Sequence, residues 1–135
     1  MPSWNRRRFL QTAALATTAG LTTRLSAAAP AVTGASPSDT VRVGIIGLST
    51  KGSDHLKQLL KIPGARVTAL CDVDPRTLAT VETSLPADQP RPFATTDARA
   101  VLERGDVDAG VIATPNHWHA LLTLWALQAG KHVYV

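Results

Sequence analysis

The chain has little that could staple it, charge it or carry it across a membrane. A single cysteine in 135 residues excludes an internal disulfide and a cysteine-based metal cluster. Cys71 lies in the apolar run Val67-Thr68-Ala69-Leu70-Cys71, the setting of a buried strand thiol and not of a reactive one. Charge of one sign is also missing where it would count. The formal net charge is +4, but Arg6, Arg7, Arg8 and Arg24 account for all of it, and the basic residues that remain equal the 10 acidic ones in number. A neutral folded part offers no polyanion-binding surface, which argues against nucleic acid as a partner. No internal repeat of solenoid length is present. The weakly apolar stretch from Phe9 to about Leu21 is diluted by threonines and too short to span a bilayer stably. What is there is an ordinary globular balance, 44% apolar and 18% charged, with length for one domain.

The first 28 or so residues read as an address. Asn5-Arg6-Arg7-Arg8-Phe9-Leu10-Gln11 resembles the twin-arginine export signal. Small residues at Ser26-Ala27-Ala28-Ala29 offer a signal peptidase its site, and cleavage after Ala28 is favoured because Pro30 suits the position just past a cut poorly. The expectation is a signal peptide over residues 1–28, the twin-arginine translocase as a partner and a periplasmic destination. Residues 29–40, rich in Pro, Ser, Gly and Ala, read as a flexible linker.

From Val41 onward the apolar period switches back and forth. Val41 to Ile46 suits a strand buried on both faces. Leu56, Leu59 and Leu60 give His55 to Lys61 a helical spacing that Pro63-Gly64 ends. Arg66 to Val73 reads as strand, Pro75 to Ser84 as helix with proline in its first turn, and Pro86 to Pro92 as loop. Phe93 to Thr95 is a short third strand, and Asp97 caps a helix running through Arg104 to Gly105. Asp108 to Thr114 is the fourth strand, followed by a helix of roughly 14 residues ending near Ala129-Gly130 and a fifth strand from His132. Strand and helix alternate with connections too long for hairpins, so parallel strands with right-handed crossovers follow. The predicted fold class is α/β, a Rossmann-type parallel sheet of order 3-2-1-4-5 over residues 41–135, with ligands at the carboxyl ends of strands 1 and 4.

Chemistry begins at Gly47-Leu48-Ser49-Thr50-Lys51-Gly52. Gly47 can make the tight turn off strand 1 and Gly52 lets the next helix pack close, so that its first amides point at a pyrophosphate. The middle glycine of the G-x-G-x-x-G fingerprint is replaced by Ser49, whose side chain takes space but whose hydroxyl can donate. Alone, this loop is equally a structural turn. Lys51 can neutralise phosphate charge or simply be solvated. Asp72, at the end of strand 2, can accept from both ribose hydroxyls of an adenosine and would repel a 2′-phosphate, which favours NAD over NADP. A capping role for the following helix belongs more naturally to Asp74-Pro75.

The richest segment is Thr114-Pro115-Asn116-His117-Trp118-His119, where a strand empties into a stiffened loop of amide, imidazole and indole groups. His117 and His119 flank Trp118 without a cysteine or acidic partner nearby, so no metal site is read there. His119, in a first helical turn, bonds backbone or ligand. Trp125, beside Leu121 and Leu124, reads as core.

The stretches VRVGIIGLSTKG, ALCDVDP and DAGVIATPNHWHALLTLWALQAGKHVYV together resemble the Gfo/Idh/MocA family, the glucose-fructose oxidoreductase and inositol dehydrogenase group, across nearly all of Val41 to Val135. The resemblance implies an NAD(P)-binding first domain followed by an α/β substrate domain that is absent from this chain. It also implies that Thr114, Pro115, Asn116 and His119, with His117 and Trp118, lie beside the nicotinamide ribose. In such proteins the last strand runs into a Glu-Lys-Pro motif whose lysine positions or protonates the substrate hydroxyl. This chain ends before it, so no catalytic residue is assigned and the fragment is expected to turn over no sugar.

The leading expectation is therefore the cofactor domain of an exported oxidoreductase acting on a sugar or polyol, homo-oligomeric in full-length form and holding its nucleotide tightly through export. The alternatives are the cofactor domain of an NAD-dependent glycosidase of the same superfamily, which oxidises and re-reduces the sugar while cleaving its glycosidic bond, and a non-catalytic nucleotide-binding protein. Against the glycosidase stands the sequence Asn116-His117-Trp118-His119 where those enzymes tend to carry Trp-Glu-Trp-His. The final strand is also expected to form an apolar sheet edge prone to association.

Overall fold

In the computed structural model, residues 39–135 are described; the expected signal peptide and all but the last two residues of the expected linker lie outside them. The β-branched run Val41–Ile46 forms strand β1, with its last four residues buried. Strands β2 (Ala65–Cys71), β3 (Phe93–Thr95), β4 (Ala109–Ile112) and β5 (His132–Tyr134) flank it. The sheet runs β3-β2-β1-β4-β5 with all pairs parallel, the order expected for the α/β class.

Among the described residues, four helices cover the sheet. In α1 (Thr50–Leu59) the start lies well before the first leucine of the periodic set, because the turn after β1 makes Ser49 the N-cap. In α2 (Pro75–Ser84) the Asp74 side chain accepts from the Arg76 amide at 2.9 Å and proline takes the first turn, two devices legible in the sequence. Asp97 caps α3 (Ala98–Leu102) in the same way at 3.0 Å, but this helix stops short of the expected Arg104. The expected long last helix is broken in two. The Trp118 amide donates to the Pro115 carbonyl at 3.0 Å, a three-residue spacing, so Asn116–Trp118 winds as a 3₁₀ turn before α4 (His119–Gln128) begins.

Two apolar layers result. On one face Val43, Ile45, Val67, Leu70 and Val111 meet Leu56 of α1 and Leu78 and Val81 of α2. On the other, Ile46, Ala69, Cys71 and Ile112 meet Val101 and Leu102 of α3 and Leu122 and Ala126 of α4, with Trp125 half-buried against them. Val67 and Ala69 should share a face by strict alternation, yet they serve opposite layers. A register shift in the β1–β2 pairing leaves Thr68 as the extra residue, and its hydroxyl donates to the Asp106 carbonyl at 2.8 Å.

Charged groups fasten the amino ends of the strands. Asp108 accepts from the Arg42 backbone amide at 2.8 Å, from Nε at 3.0 Å and from Nη2 at 2.6 Å. The Lys131 ammonium donates to the carbonyls of Arg104 and Val107 at 2.8 and 2.9 Å, binding the α4–β5 connection to the loop before β4. Hydrogen bonding from the Arg42 side chain, then from its amide, lowers the Asp108 carboxyl to about 2. The folded pKa lies below the unfolded one, so this fastening stabilises above about pH 4 and is lost as pH falls through about 2. Burial, with help from Asp72 and Asp97, pushes the Cys71 thiol up to about 12.

Two predictions follow from these groups. Asp108→Asn should lower the melting temperature at neutral pH and remove part of the stability loss between pH 4 and 2, read by circular dichroism melts across that range. Cys71 should resist an aromatic disulfide reagent in the native protein and react fully only when denaturant unfolds it; rapid native labelling would contradict the buried assignment.

Candidate functional site

The carboxyl ends of β1, β2 and β4 are drawn together by backbone. Gly47 leaves β1 at φ +89°, its amide donates to the Cys71 carbonyl at 2.8 Å, and the Ala113 amide donates to the Ile46 carbonyl at 2.8 Å. A Cβ on Gly47 would stand 2.7 Å from the Ala113 carbonyl oxygen, and a Cβ on Gly52 would stand 1.8 Å from the Gly47 oxygen. Neither position has room for a side chain. The two glycines therefore do what the sequence predicts: one makes the turn and the other brings α1 in close.

Helix α1 begins with features suited to an anion. Its first-turn amides have no intrahelical partner and form the positive end of the helix. No acidic residue lies in the first turn, and the Ser49 hydroxyl makes no capping bond. Ser49, Thr50 and Lys51 are all exposed. Ser49 has a negative φ, −68°, so no left-handed turn demands the glycine that the fingerprint would place there.

Asp72 holds the loop as well as facing it. Its Oδ2 accepts from the Leu48 amide at 2.7 Å and its Oδ1 from the Asp74 amide at 3.0 Å. A carboxylate has roughly four acceptor positions, so capacity for ribose hydroxyls is left over. Leu48 itself was not singled out by its sequence. It is 1% exposed, its amide fixes Asp72, and its carbonyl accepts from the Ser53 hydroxyl at 2.5 Å. The available signal was an aliphatic residue inside an otherwise polar loop.

Beyond β4, the loop residues divide into anchors and exposed groups. His119 Nε2 lies 2.7 Å from the Thr114 carbonyl oxygen, and since a carbonyl only accepts, this nitrogen carries the proton. Pro115, Asn116, His117 and Trp118 are exposed, with the His117 and Trp118 rings tilted at 47° and 6.1 Å apart. The Thr114 hydroxyl is shut off from solvent and has no hydrogen-bond partner. Thus Gly47, Gly52 and the Ala113–Thr114 peptide are in direct contact, Asp72 is tied in through Leu48, and the remaining candidates lie at the surface. Among the described residues no group of three His, Cys, Asp or Glu side chains comes together to hold a metal.

A concavity of about 770 Å³ lies elsewhere, at the amino ends of the strands, lined by residues that include Thr40, Arg42, Asp108 and Lys131. Arg42 and Asp108 already satisfy each other there and Lys131 is bonded to backbone carbonyls, and open α/β sheets bind ligands at the opposite end. The glycine cradle, the unused carboxylate capacity of Asp72 and the orphaned Thr114 hydroxyl fit a dinucleotide at the carboxyl end.

Residues 41–135 match the oxidoreductase family with an NAD-binding Rossmann fold, Gfo/Idh/MocA. The chain belongs to this family. A relative named glycosyl hydrolase family 109 protein, from Shewanella pealeana, is 35% identical over 149 aligned positions, covering 97% of this chain and 33% of that protein. A second protein of that name, from Saccharopolyspora erythraea, is 35% identical and covers 98% of this chain and 33% of the relative. Among solved structures, scyllo-inositol dehydrogenase from Lactobacillus casei with bound NAD(H) and scyllo-inositol is 30% identical, with a TM-score of 0.63, covering 70% of this chain and 27% of that one. The chain thus spans about one third of the length of the curated relatives it matches and corresponds to the family's NAD-binding domain.

Gly52→Ala is the sharpest test of the cradle. The added methyl must displace the Gly47 carbonyl, so a loss of about 2–4 kcal/mol in a denaturant titration is expected. The same substitution at exposed Gly105, where a Cβ meets nothing within 4 Å, should change stability by less than about 1 kcal/mol.

Proposed function

We propose that this domain binds NAD for an enzyme that cleaves a glycosidic bond by oxidising and re-reducing the sugar. The observation that carries the reading is the 35% identity to glycosyl hydrolase family 109 proteins over nearly the whole chain, against 30% for the inositol dehydrogenase. This reverses the order of preference drawn from the sequence, which put a sugar or polyol oxidoreductase first. The objection to the glycosidase was Asn116-His117 in place of Trp-Glu. Both residues are exposed in a 3₁₀ turn, where replacement costs the fold little, whereas His119, common to both versions, anchors the turn.

NAD, when bound, supplies a hydride acceptor that returns the hydride later in the same turnover. The chain's own residues bind and orient it. The amides at the start of α1, with Ser49, Thr50 and Lys51, receive the diphosphate. Asp72 accepts from the adenosine ribose hydroxyls and its charge disfavours a 2′-phosphate, so NAD is preferred over NADP. Thr114 to His119 border the nicotinamide ribose. No catalytic acid or base is assigned among residues 41–135. The twin-arginine-like segment completes the proposal: the protein folds around its nucleotide before export and keeps it in the periplasm.

Calorimetry on the 135-residue chain should show heat with NAD and at least tenfold weaker binding of NADP, and Asp72→Ala should erase that preference. A full-length protein should hydrolyse a p-nitrophenyl glycoside in the presence of NAD without net accumulation of NADH. Steady NADH formation from a polyol, with no glycoside cleavage, would restore the dehydrogenase reading.

A further inference from the structure

Ser53, half-buried near the start of α1, holds two successive peptides of the glycine loop. Its amide donates to the Ser49 carbonyl at 2.9 Å, the first hydrogen bond of the helix, and its hydroxyl reaches one residue further back, to the Leu48 carbonyl at 2.5 Å. In an α-helix carbonyls point toward the carboxyl end and amides toward the amino end. A carbonyl held from the α1 side keeps the Leu48–Ser49 peptide in that same sense. Because a peptide is planar and trans, its other face, the Ser49 N–H, then points the opposite way, out from the amino end of α1. Among the described residues this amide donates to nothing. On the far side of Leu48, the Leu48 amide is held by Asp72 at 2.7 Å. Leu48 is thus gripped through both of its peptides, by a carboxylate on one and a hydroxyl on the other.

Resting on the NAD-binding reading above, we propose that Ser53 is a positioning residue: through the Leu48 carbonyl it adds the Ser49 amide to the donors at the start of α1 that receive the diphosphate. Ser53 itself touches no part of the nucleotide. Its hydroxyl does for the Leu48 carbonyl what a helix amide would do, and so extends the aligned donors by one peptide beyond the helix. The Ser49 side chain makes no capping bond, so it does not steady this peptide itself. Without the Ser53 hydroxyl, the Leu48 carbonyl is left short of a partner, and the peptide turns toward water and carries the Ser49 N–H away with it. The ribose side of the site is spared, because the Leu48 amide belongs to the preceding peptide and still holds Asp72. Loss of the hydroxyl therefore weakens the grip on the diphosphate and leaves the choice between NAD and NADP unchanged.

The test uses the 135-residue chain, calorimetric titration with NAD and NADP, and the Ser49 amide signal in a nitrogen-15 NMR spectrum. In the parent, NAD should move the Ser49 amide proton downfield, as a bond to phosphate does. Ser53→Ala should weaken NAD and NADP alike, about five- to tenfold, and remove that downfield movement. Ser53→Thr, which keeps the hydroxyl, should bind NAD within about twofold of the parent. Asp108→Asn, at the opposite end of the sheet, lowers stability and should leave NAD affinity within about twofold, which separates positioning from general loosening. A Ser53→Ala chain that binds NAD as tightly as the parent, an Asp108→Asn chain weakened as much as Ser53→Ala, or a parent whose Ser49 amide does not respond to bound NAD overturns the proposal. A parent that gives no heat with NAD overturns the NAD-binding reading itself, so the two failures are separable.

Discussion

Much of this domain follows from one close approach: Gly52 lies so near the Gly47 carbonyl that not even a methyl group fits between them. That contact sets where α1 begins, and hence where its unpartnered amides and its positive end are aimed. It also fixes the Gly47 peptide against Ala113, so the mouth between β1 and β4 has a backbone wall on each side. Asp72 braces the same turn from β2 by accepting the Leu48 amide. A residue usually read as a ligand contact is therefore also a structural strut, and its two roles are compatible because a carboxylate has acceptor capacity to spare.

The two ends of the sheet are built differently. At the amino end, Arg42 and Asp108 satisfy each other and Lys131 satisfies two nearby carbonyls through short, charge-assisted bonds. At the carboxyl end, the Ser49 hydroxyl makes no cap bond, the first-turn amides of α1 lack intrahelical partners, and Thr114 hides an unpaired hydroxyl. A fold that satisfies its polar groups fully at one end and leaves them wanting at the other has its binding capacity where the groups are left over. The concavity at the amino end is lined by charged groups already bonded within the fold.

The sheet order, the boundaries of β1, β3 and α2, and the caps at Asp74 and Asp97 were legible because each rests on local chemistry: β-branched runs, proline in a first turn, a carboxylate before a helix. Helix α1 was placed too late in the sequence because leucine spacing marks the buried stripe, while the helix start is set by the glycine turn. The last helix was read as continuous because periodicity cannot see that Pro115 begins with a three-residue hydrogen bond. At the site, glycines and Asp72 could be named from the sequence. Their mutual support could not, since the partner is the backbone amide of Leu48, and a backbone group has no signature in the residue code.

Helix α4 shows how the site depends on more than its own residues. Leu122 and Ala126 face the sheet, yet Leu121, Leu124 and Leu127 are exposed, the last at 59%. Beside it, Tyr134 and Val135 are exposed along β5, the edge of the sheet. A helix apolar on both sides is the pattern of an element covered twice. The 3₁₀ turn that carries Asn116, His117 and Trp118 leads directly into this helix, and His119, the first residue of α4, holds the Thr114 carbonyl. Any group that packs on the outer leucines of α4 therefore also fixes the base from which the Thr114 to Trp118 loop is held. Closing that apolar face and holding the Thr114 to Trp118 loop therefore involve the same helix.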